Sequence, residues 1–307
     1  MRFIIMLLCL FSLSAQAETL TFVVHTTTSQ PFYIAQVLGK YIGKHYPGQP
    51  EVIIKGIPGA NGLNAANYLY SVAPKDGLTF GSFTKEAVLI SSVDKRHAKF
   101  DADKFVWIGS LTDGRTNPGV IIANDKYQGN LINMAEMGTA EGSNVDAIRK
   151  LTGWNIKKIA GYRDTREIRL AFARKEIDAF FIQYATILAT EPELKNKIII
   201  QYGNGLLRNP ELRDVPTLME LADSSEHRYM LAVRELCETL ARPLVMPPGV
   251  PKEKASQLRE AFFRATNDSE YRKEILYDIS PIYWDQADSI IKQIESIDKE
   301  IVKSLAN

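Results

Sequence analysis

Apolar positions along this chain alternate between two periods. Short apolar runs at residues 20–24, 52–54, 78–80, 105–110, 120–123, 157–160, 177–182 and 197–202 predict strands. Between them apolar residues return every three or four positions. Ile34, Val37, Leu38, Tyr41 and Ile42 form one such face, and Leu63, Ala66, Leu69 and Tyr70 another. Residues 87–93 and 145–151, the group Ile168, Leu170, Ala171 and Phe172, and the group Ala255, Leu258, Ala261 and Phe262 predict further helices. A last helix over 287–305 carries Ile290, Ile291, Ile294, Ile297 and Ile301, a stripe that reads as core contact rather than a coiled coil. Residues 130–134 read as a short connector. Strands alternating with helices imply parallel α/β sheets.

The stretch 53–83 condenses this pattern into one strand–loop–helix–turn–strand unit. Pro58, Gly59, Ala60, Asn61 and Gly62 break the strand, and Pro74, Lys75, Asp76 and Gly77 turn the chain into the next one. Gly59 and Gly62 permit left-handed backbone beside a helix start, and together with Asn61 they read as shaping a turn. Residues 25–31 are different. His25, Thr26, Thr27, Thr28, Ser29 and Gln30 are rich in hydroxyls and end at Pro31, an N-terminal signature for the helix that follows. Pro/Gly breaks at Asn117, Pro118 and Gly119 and at Arg242 and Pro243 mark candidate crossings between domains.

Composition narrows the class. The 307 residues suffice for one large domain or two ordinary ones, and 45% hydrophobic with 24% charged is the balance of a globular chain. A formal net charge of +1, with no basic run, argues against nucleic acid and leaves any anion selectivity to local groups. Residues 1–17 read as a cleavable secretory leader. Arg2 supplies the positive charge, residues 3–13 the apolar stretch, and Ala15, Gln16 and Ala17 the cleavage site before Glu18. The apolar stretch is too short to span a bilayer, and no later run reaches that length. Leu8 before Cys9 is not a lipoprotein box. Without the leader, 36 basic residues face 36 acidic ones, and Cys237 is the one remaining cysteine, expected as a small buried hydrophobe.

The wording of residues 58–77, with Pro-Gly-Ala-Asn-Gly, then Ala-Ala-Asn-Tyr-Leu and Ala-Pro-Lys-Asp-Gly, resembles the signature of the TctC or Bug family. These are the periplasmic solute receptors of tripartite tricarboxylate transporters. Trp107 to Ser110, Gly161 and Tyr162, the segment 170–178, Asp214 to Thr217, and the Pro/Gly turn 247–251 resemble further family landmarks in the same order. The resemblance implies an α/β, two-domain periplasmic-binding-protein-like fold of type II, each domain a mostly parallel sheet flanked by helices, with the ligand cleft between them. It implies domain 1 at 18–117 plus 235–307 and domain 2 at 118–234. It also implies capture of an organic carboxylate by hinge closure and delivery to a membrane permease of large and small subunits on separate chains.

Two loops carry the expected grip. Helix N-termini at the carboxyl ends of strands offer unpaired amides and partial positive charge, and hydroxyls add donors. The first loop supplies Thr26, Thr27, Thr28, Ser29 and Gln30; the second supplies Thr139, Ala140, Gly142, Ser143 and Asn144. The family's first loop ends in an Asp that pairs with an amino group, and Phe32 stands at that position here, which disfavours an amino-acid ligand. Glu141 replaces a family glycine in the second loop, and must face outward, meet a ligand cation or signal a changed ligand. Tyr162 either touches ligand or packs; Arg163 either neutralises a second carboxylate or lies solvated; Asp164 replaces another family glycine. Asp178, which the family keeps across different ligands, is implied to be structural.

The catalytic motifs are missing. There is no G-x-S-x-G elbow, H-E-x-x-H, Walker loop or C-x-x-C, and the four histidines lack metal-ligand spacing. His45, His97 and His227 lie in polar stretches expected on the surface. His25 falls at a strand end within the candidate site and reads as a histidine hydrogen-bonded by its loop. The expectation is a binding protein without catalysis, cofactor or metal. A sensory receptor feeding a membrane kinase has the same signature; a secreted hydrolase using Ser143 or His25 requires a nucleophile beside a base that no motif provides.

Overall fold

The computed structural model describes residues 18–93, 95–113, 117–124, 129–137, 144–162, 165–203, 208–275 and 280–296. The leader, Thr139 to Ser143, Arg163, Asp164, Ile297 and Ile301 lie outside the described residues, as does the side chain of Cys237. The chain begins with β1 (Thr19–Val24), α1 (Ser29–His45), β2 (Glu51–Gly56), α2 (Leu63–Ser71), β3 (Thr79–Ser82), α3 (Lys85–Val93) and β4 (Val106–Ser110). It continues through β5 (Gly119–Ala123), β6 (Ile132–Met137), α4 (Asn144–Thr152), β7 (Ile156–Tyr162), α5 (Thr165–Ala173), β8 (Ala179–Gln183), α6 (Tyr184–Thr190) and β9 (Ile198–Tyr202). It closes with α7 (Leu218–Leu221), α8 (Ser225–Thr239), β10 (Pro243–Met246), α9 (Lys252–Asn267), α10 (Ser269–Glu274), β11 (Ile282–Tyr283) and α11 (Trp284–Glu295).

These strands form two separate sheets. One has six strands in the order β11-β4-β10-β3-β1-β2, the other five in the order β7-β6-β8-β5-β9. The sheets are mixed rather than wholly parallel. β1 runs parallel to β2 and β3, while β10 runs antiparallel to β3 and β4. β6 runs parallel to β7 and β8, while β5 runs antiparallel to β8 and β9. Both β5 and β10 are strands by which the chain arrives from the other sheet. Such a strand has no crossover helix returning it to the same edge, so nothing forces it parallel. Residues 130–134, expected as a connector, instead open β6, which pairs on both sides within the second sheet. Polar Asn133 interrupts the apolar run there. Its backbone N–H and its Nδ2 both donate to Asp178 Oδ2 at 2.8 Å, so Asp178 is a structural clasp between β6 and the start of β8.

The faces read for α1 and α9 are buried, whereas Leu170, read into the α5 face with Ile168, Ala171 and Phe172, is exposed because that helix buries only the other three. Ile34, Val37, Leu38, Tyr41 and Ile42 of α1 pack with Leu258, Ala261 and Phe262 of α9 and with Phe22 and Phe80 from the sheet. Burying a Leu or Ile of this kind contributes roughly 1.5–3 kcal/mol. Leu63, Ala66 and Leu69 of α2 pack on the opposite face with Trp107 and with Ile290, Ile291 and Ile294 of α11. In the turn before α2, Gly59 and Gly62 take φ of 112° and 87°, the left-handed region their sequence allows. α8 spans the two sheets. Its Met230 and Leu231 join the core of the second sheet, and Leu236 packs against the first.

The last turn of α1 is fastened to α10. Asp268 caps α10 by accepting the Glu270 N–H at 2.9 Å, and its other carboxylate oxygen accepts Lys44 Nζ and His45 Nε2, each at 2.8 Å. His45, expected on the surface, is thereby half-buried. Lys40 Nζ and Tyr41 Oη donate to Glu274 at 2.7 and 2.8 Å. The Lys44 and His45 donors, followed by the Glu270 amide, hold the Asp268 carboxyl far below its ordinary 3.8. A carboxyl depressed in the fold stabilises it fully above the unfolded value, and that contribution disappears as pH falls through the acid range. Asp268→Asn should therefore lower unfolding stability at neutral pH and flatten the loss of stability between about pH 5 and pH 3. Urea denaturation across that range measures both; parallel wild-type and variant curves would exclude the clasp.

Candidate functional site

Both sheets contribute to one cleft with a cavity volume of about 930 Å³. From the first sheet it takes the ends of β1 and β3, the first turns of α1 and α3, and the crossing residues Leu111, Thr112, Ala241 and Arg242. From the second it takes Asn117, Gln183 at the end of β8, and one face of α6. Strand ends and helix starts meet here because the outgoing and returning segments are tied together. Arg242 N–H donates to Ser110 Oγ and Leu111 N–H donates to the Arg242 carbonyl, each at 3.1 Å. On the far side Asn117 Oδ1 accepts the Ala185 N–H at 2.9 Å, and the Tyr184 N–H donates to the Pro118 carbonyl at 3.0 Å. The start of α6 is thus anchored to the outgoing crossing.

The cleft has an apolar floor and a cationic rim. Phe22, Val24, Ile34, Leu111 and Ile275 supply the floor. Among the described lining residues Lys85 and Arg242 are cationic and none is acidic. Arg242 Nη2 donates to Gln30 Oε1 at 2.9 Å across the opening of α1. Tyr271 also lines the cleft. It is fully buried, its ring packs edge-on to Tyr41 at 5.4 Å, and its hydroxyl has no hydrogen-bond partner among the described residues. Burial pushes the Tyr271 phenol well up, and the Arg242 charge offsets part of that rise. An unsatisfied buried hydroxyl costs about 1–3 kcal/mol.

The expected site residues are placed as follows. Gln30 lines the cleft, and so does His25. Thr26 Oγ1 is used within its own loop, donating to the Thr28 carbonyl at 2.8 Å and accepting the Thr28 N–H at 3.3 Å. Thr27 lies against Gly56 at the end of β2. Thr28 occupies the N-cap position of α1 without a capping side-chain bond, and Ser29 begins the helix. The first-turn amides of α1 therefore have no cap from Thr28. Asn144 begins α4, where the next amide, Val145 N–H, donates to Glu136 Oε2 at 3.1 Å. Tyr162 packs against the core of the second sheet around Phe172 and Phe180 and is not among the cleft residues; its burial raises its phenol. Thr139, Ala140, Gly142, Ser143 and Arg163 lie outside the described residues.

Arg242, Tyr271, Lys85 and the α6 wall were not identified from sequence as site residues. The one signal available was the Pro/Gly break beside each crossing. Asn117 and Arg242 stand at those breaks, and residues at a crossing line whatever lies between the two sheets. Among the described residues no group of His, Cys, Asp and Glu is arranged to hold a metal ion, and no helix is long and apolar enough to cross a membrane.

Two mixed α/β sheets joined by paired crossings, with a cleft between them, define the two-domain periplasmic-binding-protein fold. The chain is similar to a TctC solute binding protein from Polaromonas, with TM-score 0.67 and 15% identity over 93% of this chain and 98% of that one. It is similar to the periplasmic binding protein BugD, with TM-score 0.62 and 17% identity over 94% and 97%. It is also similar to MatC from Rhodopseudomonas palustris with bound malate, with TM-score 0.61 and 19% identity over 92% and 98%. No protein-family model matches the chain, and neither does any curated relative.

Gly56 tests whether the first loop is held for a purpose. A Cβ there would lie 2.6 Å from the Thr26 carbonyl oxygen and 2.6 Å from Thr27 Cγ2. Gly56→Ala must push the loop 25–30 away from β2, costing about 1–3 kcal/mol of stability. It should also weaken ligand capture beyond what the stability loss explains. Thermal melts with and without ligand separate the two effects; unchanged binding would show that the loop position is irrelevant to the site.

Proposed function

We propose that this protein is a periplasmic solute receptor that captures an organic carboxylate between two lobes and hands it to a tripartite tricarboxylate-type permease. The observation that carries the reading is the shared cleft, whose described lining holds Lys85 and Arg242 and no acidic residue. A cavity of about 930 Å³ accommodates a small organic acid with room to close. The malate held by MatC, a protein of the same fold, supports the ligand class.

The lobes are residues 18–117 with 235–307, and residues 118–234. Hinge closure about the two crossings would bring the α6 wall toward the start of α1 and bury the ligand. The loop of Thr26, Thr27, Thr28, Ser29 and Gln30 supplies amides from one lobe. The loop of Thr139, Ala140, Gly142, Ser143 and Asn144 supplies them from the other. Capture proceeds without turnover. A leader over residues 1–17 would direct the chain to the periplasm, and the permease subunits would be separate chains.

Thermal melts against di- and tricarboxylates, aromatic acids and sugar acids test the reading. A bound acid at a hundredfold excess over its Kd should add about 2.7 kcal/mol of stability. Ala189→Trp, an exposed site on the α6 wall, should abolish that gain while leaving the ligand-free melt unchanged. An acid that stabilises wild type and this variant equally would place the site elsewhere.

A further inference from the structure

Tyr271, Gln30 and Arg242 come from three distant parts of the chain and are held together by contacts that have no part in ligand capture. The Arg242 backbone is pinned on both sides to the end of β4, through Ser110 Oγ and the Leu111 N–H. α10, which carries Tyr271, is stapled to α1, which carries Gln30, through the Lys40 and Tyr41 bonds to Glu274 and the Lys44 and His45 bonds to Asp268. Arg242 and Tyr271 both line the cleft. Arg242 Nη2 donates to the neutral Gln30 Oε1 at 2.9 Å, which marks where an acceptor sits. The Tyr271 hydroxyl is buried, close enough to feel the Arg242 charge, and without an acceptor among the described residues.

We infer that Arg242 and Tyr271 form a carboxylate clamp: the guanidinium receives a ligand carboxylate in place of Gln30 Oε1, and the Tyr271 hydroxyl donates to the same group. A guanidinium presents paired donors that match two carboxylate oxygens, and the charge-assisted bond is about twice as strong as a neutral one. The remainder of the ligand lies along Phe22, Val24, Ile34 and Ile275, so the preferred solute is an acid with an apolar stem beside its carboxylate. Arg242 stands on the returning crossing, and a ligand held there is fixed at the hinge. The α6 wall then closes over its other end.

This assignment rests on the cleft being the ligand site, and the test keeps the two apart. The probes are the linear dicarboxylates from succinate to suberate, benzoate and phenylacetate, each paired with its amide, measured by calorimetry and by melting. Wild type should bind at least one acid and discriminate against its amide. Arg242→Gln should weaken that acid by about 10- to 100-fold, with amide binding changed by less than about twofold. Arg242→Lys should recover only part of the loss, because an ammonium lacks the planar fork. Tyr271→Phe should leave the ligand-free melt unchanged or raised, since it deletes a hydroxyl with no partner among the described residues, yet weaken the acid by about 3- to 10-fold. If an acid binds wild type and retains its affinity within about twofold in both Arg242→Gln and Tyr271→Phe, the clamp is refuted while the receptor reading stands. If wild type binds no acid of the panel, both fall.

Discussion

The double crossing between the sheets is the constraint on which the rest of the molecule depends. Ser110 Oγ donates to the Thr112 carbonyl and accepts the Arg242 N–H, each at 3.1 Å, and Leu111 N–H returns to the Arg242 carbonyl at the same distance. The outgoing and returning strands are thereby one hydrogen-bonded unit. Two sheets joined this way are held next to each other. α8 also links them, contributing Met230 and Leu231 to one core and Leu236 to the other. The cleft lies beside this joint, lined by residues from both sheets.

The cleft gains its character from what the crossings bring to it. Strand ends and helix starts gather at one place, and their partial charges favour an anion. Lys85 and Arg242 add full charges, while the chain as a whole carries only +1. Long-range steering of a charged solute by so small a net charge is therefore weak. The apolar floor of Phe22, Val24, Ile34 and Ile275 gives a ligand stem a reason to enter.

Local periodicity carried far because each sheet face needs its own helix stripe. The α1 face from Ile34 to Ile42 and the α9 face from Ala255 to Phe262 are legible as buried before any partner is known. The Pro/Gly break at Asn117–Gly119 lies between β4 of the first sheet and β5 of the second, while that at Arg242–Pro243 opens β10 after α8 has already passed from the second core to the first. Residues 130–134 misled because Asn133 breaks the apolar run. Its amide is satisfied by Asp178, a residue 45 positions away that no local pattern could pair with it. The polarity of Thr26 to Gln30 suggested a row of donors for a ligand. Thr26 Oγ1 serves its own loop and Thr27 faces Gly56, so hydroxyl content alone does not say which way a hydroxyl points.

Sequence by itself determined the α/β class, most of the buried helix positions and a polar loop at the start of α1, because these follow from spacing within a few residues. Tertiary structure decided which strands run antiparallel, that α10 is clasped to α1, and that Arg242 and Tyr271 line one cleft with Gln30. Those last three stand at positions 30, 242 and 271, and their meeting depends on the return of the chain to its first sheet. A short-range pattern records the period of an element but not its neighbours, and a binding cleft consists almost entirely of neighbours.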